Sequence, residues 1–167
     1  MNTDVMFSKA TDLWETPDEL FEQFHRTQKF TLDAAADESN HKLDRWFGPG
    51  GIAEDALSVD WTGERVWLNP PYSQAKEFLA KAVHEQIMNG VPSCVLVPSR
   101  TDTKWFHEYV WSAPYCVVHP WVRKLHFLKG RVKFIQQQQA DSELHFNIQN
   151  KPNSAPFPSL VIEIAGY

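Results

Sequence analysis

The residues best suited to chemistry stand together at Asn69-Pro70-Pro71-Tyr72, followed by Ser73. They come directly after an apolar run, Val66-Trp67-Leu68, of the kind that forms a buried strand. Neither proline has an N–H to give to a ladder, so the chain must leave the sheet in a stiff, extended turn. An amide (Asn69), a carbonyl without a ladder partner (Pro70) and an aromatic ring (Tyr72) are thereby collected at a strand's end. In an open α/β sheet that end is where ligands bind. An exocyclic amino group on a planar ring needs acceptors for its hydrogens and a flat surface for its face. The Asn69 side-chain oxygen and the Pro70 carbonyl supply the acceptors, and Tyr72 supplies the surface. Accepting both hydrogens pushes the nitrogen lone pair out of conjugation. An amine attacking a sulfonium methyl then needs no general base beforehand. The competing reading is a rigid Asn-Pro-Pro turn with Tyr72 as ordinary packing; a strand before it and a helix after it favour the chemistry.

The elements that must position these groups are legible on both sides. Upstream, Thr16-Pro17-Asp18-Glu19 precedes Leu20, Phe21 and Phe24 at helical spacing. Thr16 reads as an N-cap, Pro17 as the first helical residue and Glu19 as the return partner of a capping box. Phe30-Thr31-Leu32 reads as the first core strand, ended by Asp33, and Ala34-Ala35-Ala36 lets the backbone approach a ligand closely. Only about thirty residues separate Asp33 from Val66, too few for two full β-α crossovers, so this half of the sheet is abbreviated. Downstream, Phe78, Leu79, Ala82, Val83 and Ile87 share one helical face, closed by Asn89-Gly90. Cys94-Val95-Leu96-Val97 is a buried strand, and Arg100 follows on the same rim as Asn69. Trp105, Phe106, Tyr109 and Val110 mark a helix, and Tyr115-Cys116-Val117-Val118 a strand. Arg123 to Phe127 and Arg131 to Phe134 flank Lys129-Gly130 as a hairpin, basic on one face. Gln136 to Gln139 reads as a loop, and Leu160 to Ile164 closes the sheet.

These blocks, in this order, resemble the phage-type (Dam-like) DNA N-6-adenine methyltransferase family. The resemblance rests on Trp14-Glu15-Thr16-Pro17, Leu32-Asp33-Ala34-Ala35-Ala36, Asp60-Trp61 and Asn69-Pro70-Pro71-Tyr72-Ser73. Gly130-Arg131-Val132-Lys133-Phe134 and Ser154-Ala155-Pro156-Phe157-Pro158-Ser159 complete it. It covers roughly residues 14 to 165. It implies an α/β, Rossmann-like fold with a shortened cofactor half, and methyl transfer from S-adenosylmethionine to adenine N6 in DNA. Asn69, Pro70, Pro71 and Tyr72 would be the catalytic set. Trp14, Thr16 and Pro17 would lie against the methionine part of the cofactor. Asp33 would face its amino group, with Ala34 and Ala35 beside it; the usual glycine-rich form of this motif is absent. An acidic residue for the ribose is expected on this side, with Asp55 and Asp60 both available. RNA adenine or a glutamine amide offers the same planar amino group, and a non-catalytic DNA-binding domain on the same scaffold is a further alternative.

The 167 residues are enough for one domain with a good core, expected to span 1–167 with 1–13 a loose lead-in. No apolar run reaches membrane-spanning length and no signal-peptide pattern opens the chain, so the expected compartment is the cytoplasm; the resemblance implies a phage or prophage protein in a bacterial host. Cys94 and Cys116 both fall in apolar runs and read as buried free thiols, and no metal-ligand spacing is present. The net charge of −5 is unevenly divided: residues 1–64 carry −9 and residues 100–133 carry +5. A chain that is acidic overall can still turn one basic face to phosphates. Arg100, Lys104, Arg123, Lys124, Lys129, Arg131 and Lys133 are the candidates for DNA contact. With no separate recognition domain, the protein would act as a monomer or a homodimer.

Overall fold

The computed structural model describes residues 14–136 and 153–166. A five-stranded mixed sheet organises them, in the order β2 (Leu32–Asp33), β3 (Val66–Leu68), β4 (Ser93–Pro98), β10 (Ser159–Ile164) and β7 (Val122–Phe127). The first three strands are parallel, with Leu32 beside Val66 and Leu68 beside Val95. β10 runs antiparallel between β4 and β7 and is buried at every position. It therefore lies inside the sheet rather than at its edge, because its apolar run can be covered on both faces only there.

Strand periodicity sorts the side chains into two cores. On one face Val66, Leu68, Val95, Val97, Leu160 and Ile162 pack against helix α2 (Ala75–Asn89) and the short helix α3 (Lys104–Tyr109). On the other, Trp67, Cys94, Leu96 and Val161 meet Phe21 and Phe24 of helix α1 (Asp18–Gln28), together with Phe30 and Phe134. A small second sheet borders this aromatic face: β1 (Trp14–Glu15) pairs with β8 (Lys133–Gln136), and β8 pairs with β9 (Asn153–Ser154). Helix α2 ends as its sequence directs, with Gly90 left-handed at φ 66° and its N–H returned to Gln86 and Glu85.

Several local expectations are corrected by the structure. No capping box forms at α1: Pro17 is the cap residue, with ψ 137°, and no side-chain bond closes the turn. Thr16 is buried instead. Arg123–Phe127 and Arg131–Phe134 do not make a hairpin. β7 pairs with β10, whereas β8 crosses to pair with β1. Burial decides this, since Val132 and Phe134 belong to the aromatic core and would face solvent in a free-standing hairpin. Cys116 is exposed in a turn at φ 53°; only Val117–Val118 (β6) forms strand there, against Trp111–Ser112 (β5). Ile87 points outward, 59% exposed. Gln136 ends β8, and the remainder of the glutamine tract lies outside the described residues.

The abbreviated half of the sheet is built without a helix. Between β2 and β3, Arg45–Phe47 lies beside Asp33 as a rudimentary parallel strand. Asp33 N–H donates to the Arg45 carbonyl (3.0 Å), and Phe47 N–H donates to the Asp33 carbonyl (2.9 Å). Gly48 follows at φ 135°, where an added Cβ would lie 1.7 Å from the Ala36 oxygen. Only glycine lets the loop fold back against the alanine run.

Candidate active site

A cavity of about 560 Å³ opens where β2 and β3 end. Such a volume falls within the range for small-molecule sites. Trp14, Glu15 and Thr16 line one side, Asp33 to Asp37 the floor, Phe47 to Pro49 and Glu54 to Leu57 the loop wall, and Asn69, Pro71, Ser73, Gln74 and Phe78 the remaining side. The strand-end wall is stiff because the ladder stops at Leu68 and two prolines carry the chain into a single 3-10 turn, Tyr72–Gln74.

The Asn69 amide is held in one orientation. Its Nδ2 donates to the Trp14 carbonyl at 2.9 Å, which turns Oδ1 away from that bond as an acceptor with no hydrogen bond among the described residues. Among the described residues no backbone N–H donates to the Pro70 carbonyl. Tyr72 stands outside the cavity lining. Its ring meets Phe157 edge-on at 4.8 Å and touches Trp14 and Phe134, and its buried hydroxyl has no hydrogen-bond partner among the described residues. Burial pushes its phenol well above the usual tyrosine range.

Carboxylates dominate the rest of the lining. Glu15, Asp33, Asp37, Glu54 and Asp55 line it together with one lysine, Lys42. Asp33 is 3% exposed, and burial pushes its carboxyl up to about 6 against the N–H groups of Lys42 (3.0 Å) and Ala35 (3.4 Å) and the charges of Lys42 and His41. The Lys42 side chain reaches Glu15 at 2.8 Å and Asp18 at 2.7 Å. Its own burial pulls the ammonium down, but these two carboxylates outweigh that and hold it above the ordinary lysine value. Lys42 therefore ties the loop after β2 to β1 and the start of α1.

The structure brings together Trp14, Thr16, Asp33, Ala34, Ala35, Asp55, Asn69 and Pro71 around this cavity. Pro17 lies just outside it as the α1 cap. Asp60 is not part of it: exposed, it accepts from Thr62 N–H at 2.6 Å, and the Thr62 hydrogen bonds hold its carboxyl below the usual range. Glu15, Asp37, Lys42, Phe47 and Glu54 line the cavity without having been singled out from sequence. Glu15 had one available signal, its place between Trp14 and Thr16; Lys42 had none.

The basic residues divide. Arg100 follows β4 and Lys104 opens α3, while Lys129 follows β7. Leu160 pairs with both Val97 and Phe127, so these ends share the rim from which Asn69 departs. Arg131 and Lys133 lead into β8, which borders Trp14–Glu15. Arg123 and Lys124 lie toward the opposite rim, beside Ile164 and Glu163. There they line a second cavity with Gln23, Gln28 and His126, whose ring nitrogen lies 2.7 Å from Glu163. Among the described residues there is no cluster able to hold a metal ion and no helix long and apolar enough to cross a membrane.

Comparison with known proteins gives the family. A family model described as DNA N-6-adenine-methyltransferase (Dam) matches residues 4–155. The chain is similar to the DNA N-6-adenine-methyltransferase of Haemophilus phage HP1 (strain HP1c1), 30% identical over 159 residues, covering 89% of this chain and 83% of the phage protein. It is also similar to the DNA N-6-adenine-methyltransferase of Escherichia phage T1, 37% identical over 100 residues, covering 58% of this chain and 40% of that one.

Proposed function

The chain belongs to the DNA N-6-adenine-methyltransferase (Dam) family, and on that premise we propose that it methylates adenine N6 in DNA with S-adenosylmethionine as donor, at the rim formed by Asn69 to Tyr72. The observation that carries the assignment of the site is the Asn69–Trp14 bond. It commits one amide N–H to protein, which fixes the plane of the amide, and leaves Oδ1 to accept a hydrogen from the substrate amine. The Pro70 carbonyl is the second acceptor. The fold reading is Rossmann-like, supported by the parallel β2-β3-β4 run with an antiparallel β10 inserted before β7.

The residues present fit the cofactor. A lining with five carboxylates and one lysine suits a ligand that carries a sulfonium and an α-amino group. When bound, S-adenosylmethionine supplies an electrophilic methyl group. Asp33 is assigned to the α-amino group, with Trp14, Thr16 and Pro17 toward the methionine portion and Ala34 and Ala35 at the floor. Asp55 rather than Asp60 is assigned to the ribose, because Asp55 lines the cavity and Asp60 does not. The target adenine must leave the duplex to reach Asn69, at a cost of a few kcal/mol. Tyr72 offsets part of this by stacking, worth about 1–3 kcal/mol per base; its ring already sits among Trp14, Phe134 and Phe157. Arg100, Lys104 and Lys129 at this rim, with Arg131 and Lys133 at β8, are the phosphate contacts.

The test is incubation with methyl-labelled cofactor and duplex DNA, with RNA and with protein in parallel, followed by nucleoside and amino-acid analysis. Label in N6-methyldeoxyadenosine is the expected result. Label confined to RNA or to glutamine would overturn the substrate, and no label with cofactor bound would leave a DNA-binding scaffold.

A further inference from the structure

The proposed cofactor must be distinguished from its product, which differs by one methyl group and one positive charge. Shape separates the two poorly, since a single methyl is worth little in a pocket. Charge separates them well wherever water is partly excluded. The question is which carboxylate of the lining stands where the sulfonium must be.

The sulfonium has to lie within one methyl group of the reacting amine, and the amine has to lie at Asn69 Oδ1. The protein atom that fixes Asn69 is the Trp14 carbonyl. The next residue is Glu15, a lining carboxylate only 19% exposed. Asp37, Glu54 and Asp55 belong to the floor and loop wall instead, and Asp33 is already assigned to the α-amino group. Lys42 does not cancel Glu15. Its single ammonium is shared with Asp18, so the three side chains together keep one net negative charge. The ion pair engages Glu15 Oε1 and fixes the side chain against rotation.

Resting on the reading above, we propose that Glu15 is the residue that makes this site prefer the positively charged methyl donor to its neutral thioether product. Lys42 is its positioning residue. Product leaves because methyl transfer removes the charge that Glu15 attracts.

Glu15→Gln keeps the size of the side chain and an acceptor for Lys42 while removing the charge. Isothermal titration of S-adenosylmethionine and S-adenosylhomocysteine with wild type and variant reads the preference directly. The donor should bind the variant about tenfold more weakly, and the thioether should change by less than about twofold. Glu15→Asp retains the charge and should retain the preference even where both ligands weaken. Equal losses for donor and thioether would reduce Glu15 to a structural residue and overturn the proposal, as would a preference unchanged in Glu15→Gln or absent in wild type. If wild type bound neither ligand, the cofactor assignment itself would fail.

Discussion

The two walls of the cavity are made in opposite ways. The strand-end wall, Val66 to Gln74, is backbone-defined: a three-residue ladder, two prolines and a 3-10 turn leave little freedom, and its polar groups are neutral. The loop wall, residues 34–57, has no helix and only isolated bridges; it is held by turns, a glycine under the Ala36 carbonyl and carboxylate hydrogen bonds. On the proposed reading, the first wall would hold the reacting amine in place and the second would supply field and shape to the cofactor. Placement and binding would then fall to different segments, which substitutions can separate.

The sharpest separation comes from Asn69→Ala. It removes the acceptor for the amine and leaves the acidic wall intact. Turnover should fall by orders of magnitude while cofactor affinity, measured by calorimetry, barely changes. Retained turnover in a clean preparation would break the comparison at its first wall.

Asp33→Asn tests the second wall and has two opposed effects. The carboxyl is raised from 3.8 to about 6 by burial. The folded state therefore holds the Asp33 proton more tightly than the unfolded chain does. Stability is lost as pH rises between these values, by about 3 kcal/mol in order of magnitude. Asparagine removes that loss, so the variant should be more resistant to urea than wild type at pH 8 and show little gain at pH 4. Its cofactor affinity should fall by about 1.5–3 kcal/mol, the range for a charge-assisted hydrogen bond. In wild type, affinity should rise with pH through about 6 as Asp33 ionises. A variant that binds cofactor normally would leave Asp33 as a turn cap for Ala35 and Lys42.

The smallest effect concerns the rim beyond both walls. Lys129→Ala with Lys133→Ala should weaken DNA binding across sequences and make the salt dependence shallower by about one unit for each phosphate no longer neutralised. Arg123→Ala with Lys124→Ala, toward the opposite rim, should leave the slope unchanged. Equal slopes for the two double variants would mean that position in the fold does not choose among these cations.

Much of this site was readable because its signals are local. The apolar run into Asn69-Pro70-Pro71 announces a strand that must stop, and the run from Ser93 to Pro98 a strand buried on both faces. The spacing of Phe78, Leu79, Ala82 and Val83 gives α2 its buried face, and Gly90 ends it. Asp33 and the alanines after it could be placed beside Asn69 because parallel neighbours end on the same rim. Local signals also misled where a longer-range contact was stronger. Lys129-Gly130 has the chemistry of a hairpin turn, but Phe134 is fully buried against Trp14 only if β8 leaves its neighbour for β1. Thr16 has the chemistry of a cap, but burial beside the cavity takes it away from the helix N-terminus.

The sequence by itself determined where the candidate groups Asn69 to Tyr72 stand and the strand end that carries them, because proline chemistry and apolar periodicity act within a few residues. Only the tertiary structure decided the orientation of the Asn69 amide, since its partner at Trp14 lies 55 residues away in the chain. It alone decided that Lys42 joins Glu15 to the Asp33 loop, that Asp55 rather than Asp60 reaches the cavity, and that Arg100 and Lys129 follow strand ends on the Asn69 rim while Arg123 and Lys124 lie toward the other. Each of these depends on which distant segments share a wall. That is fixed by burying two faces of one sheet at once, and no local pattern encodes it.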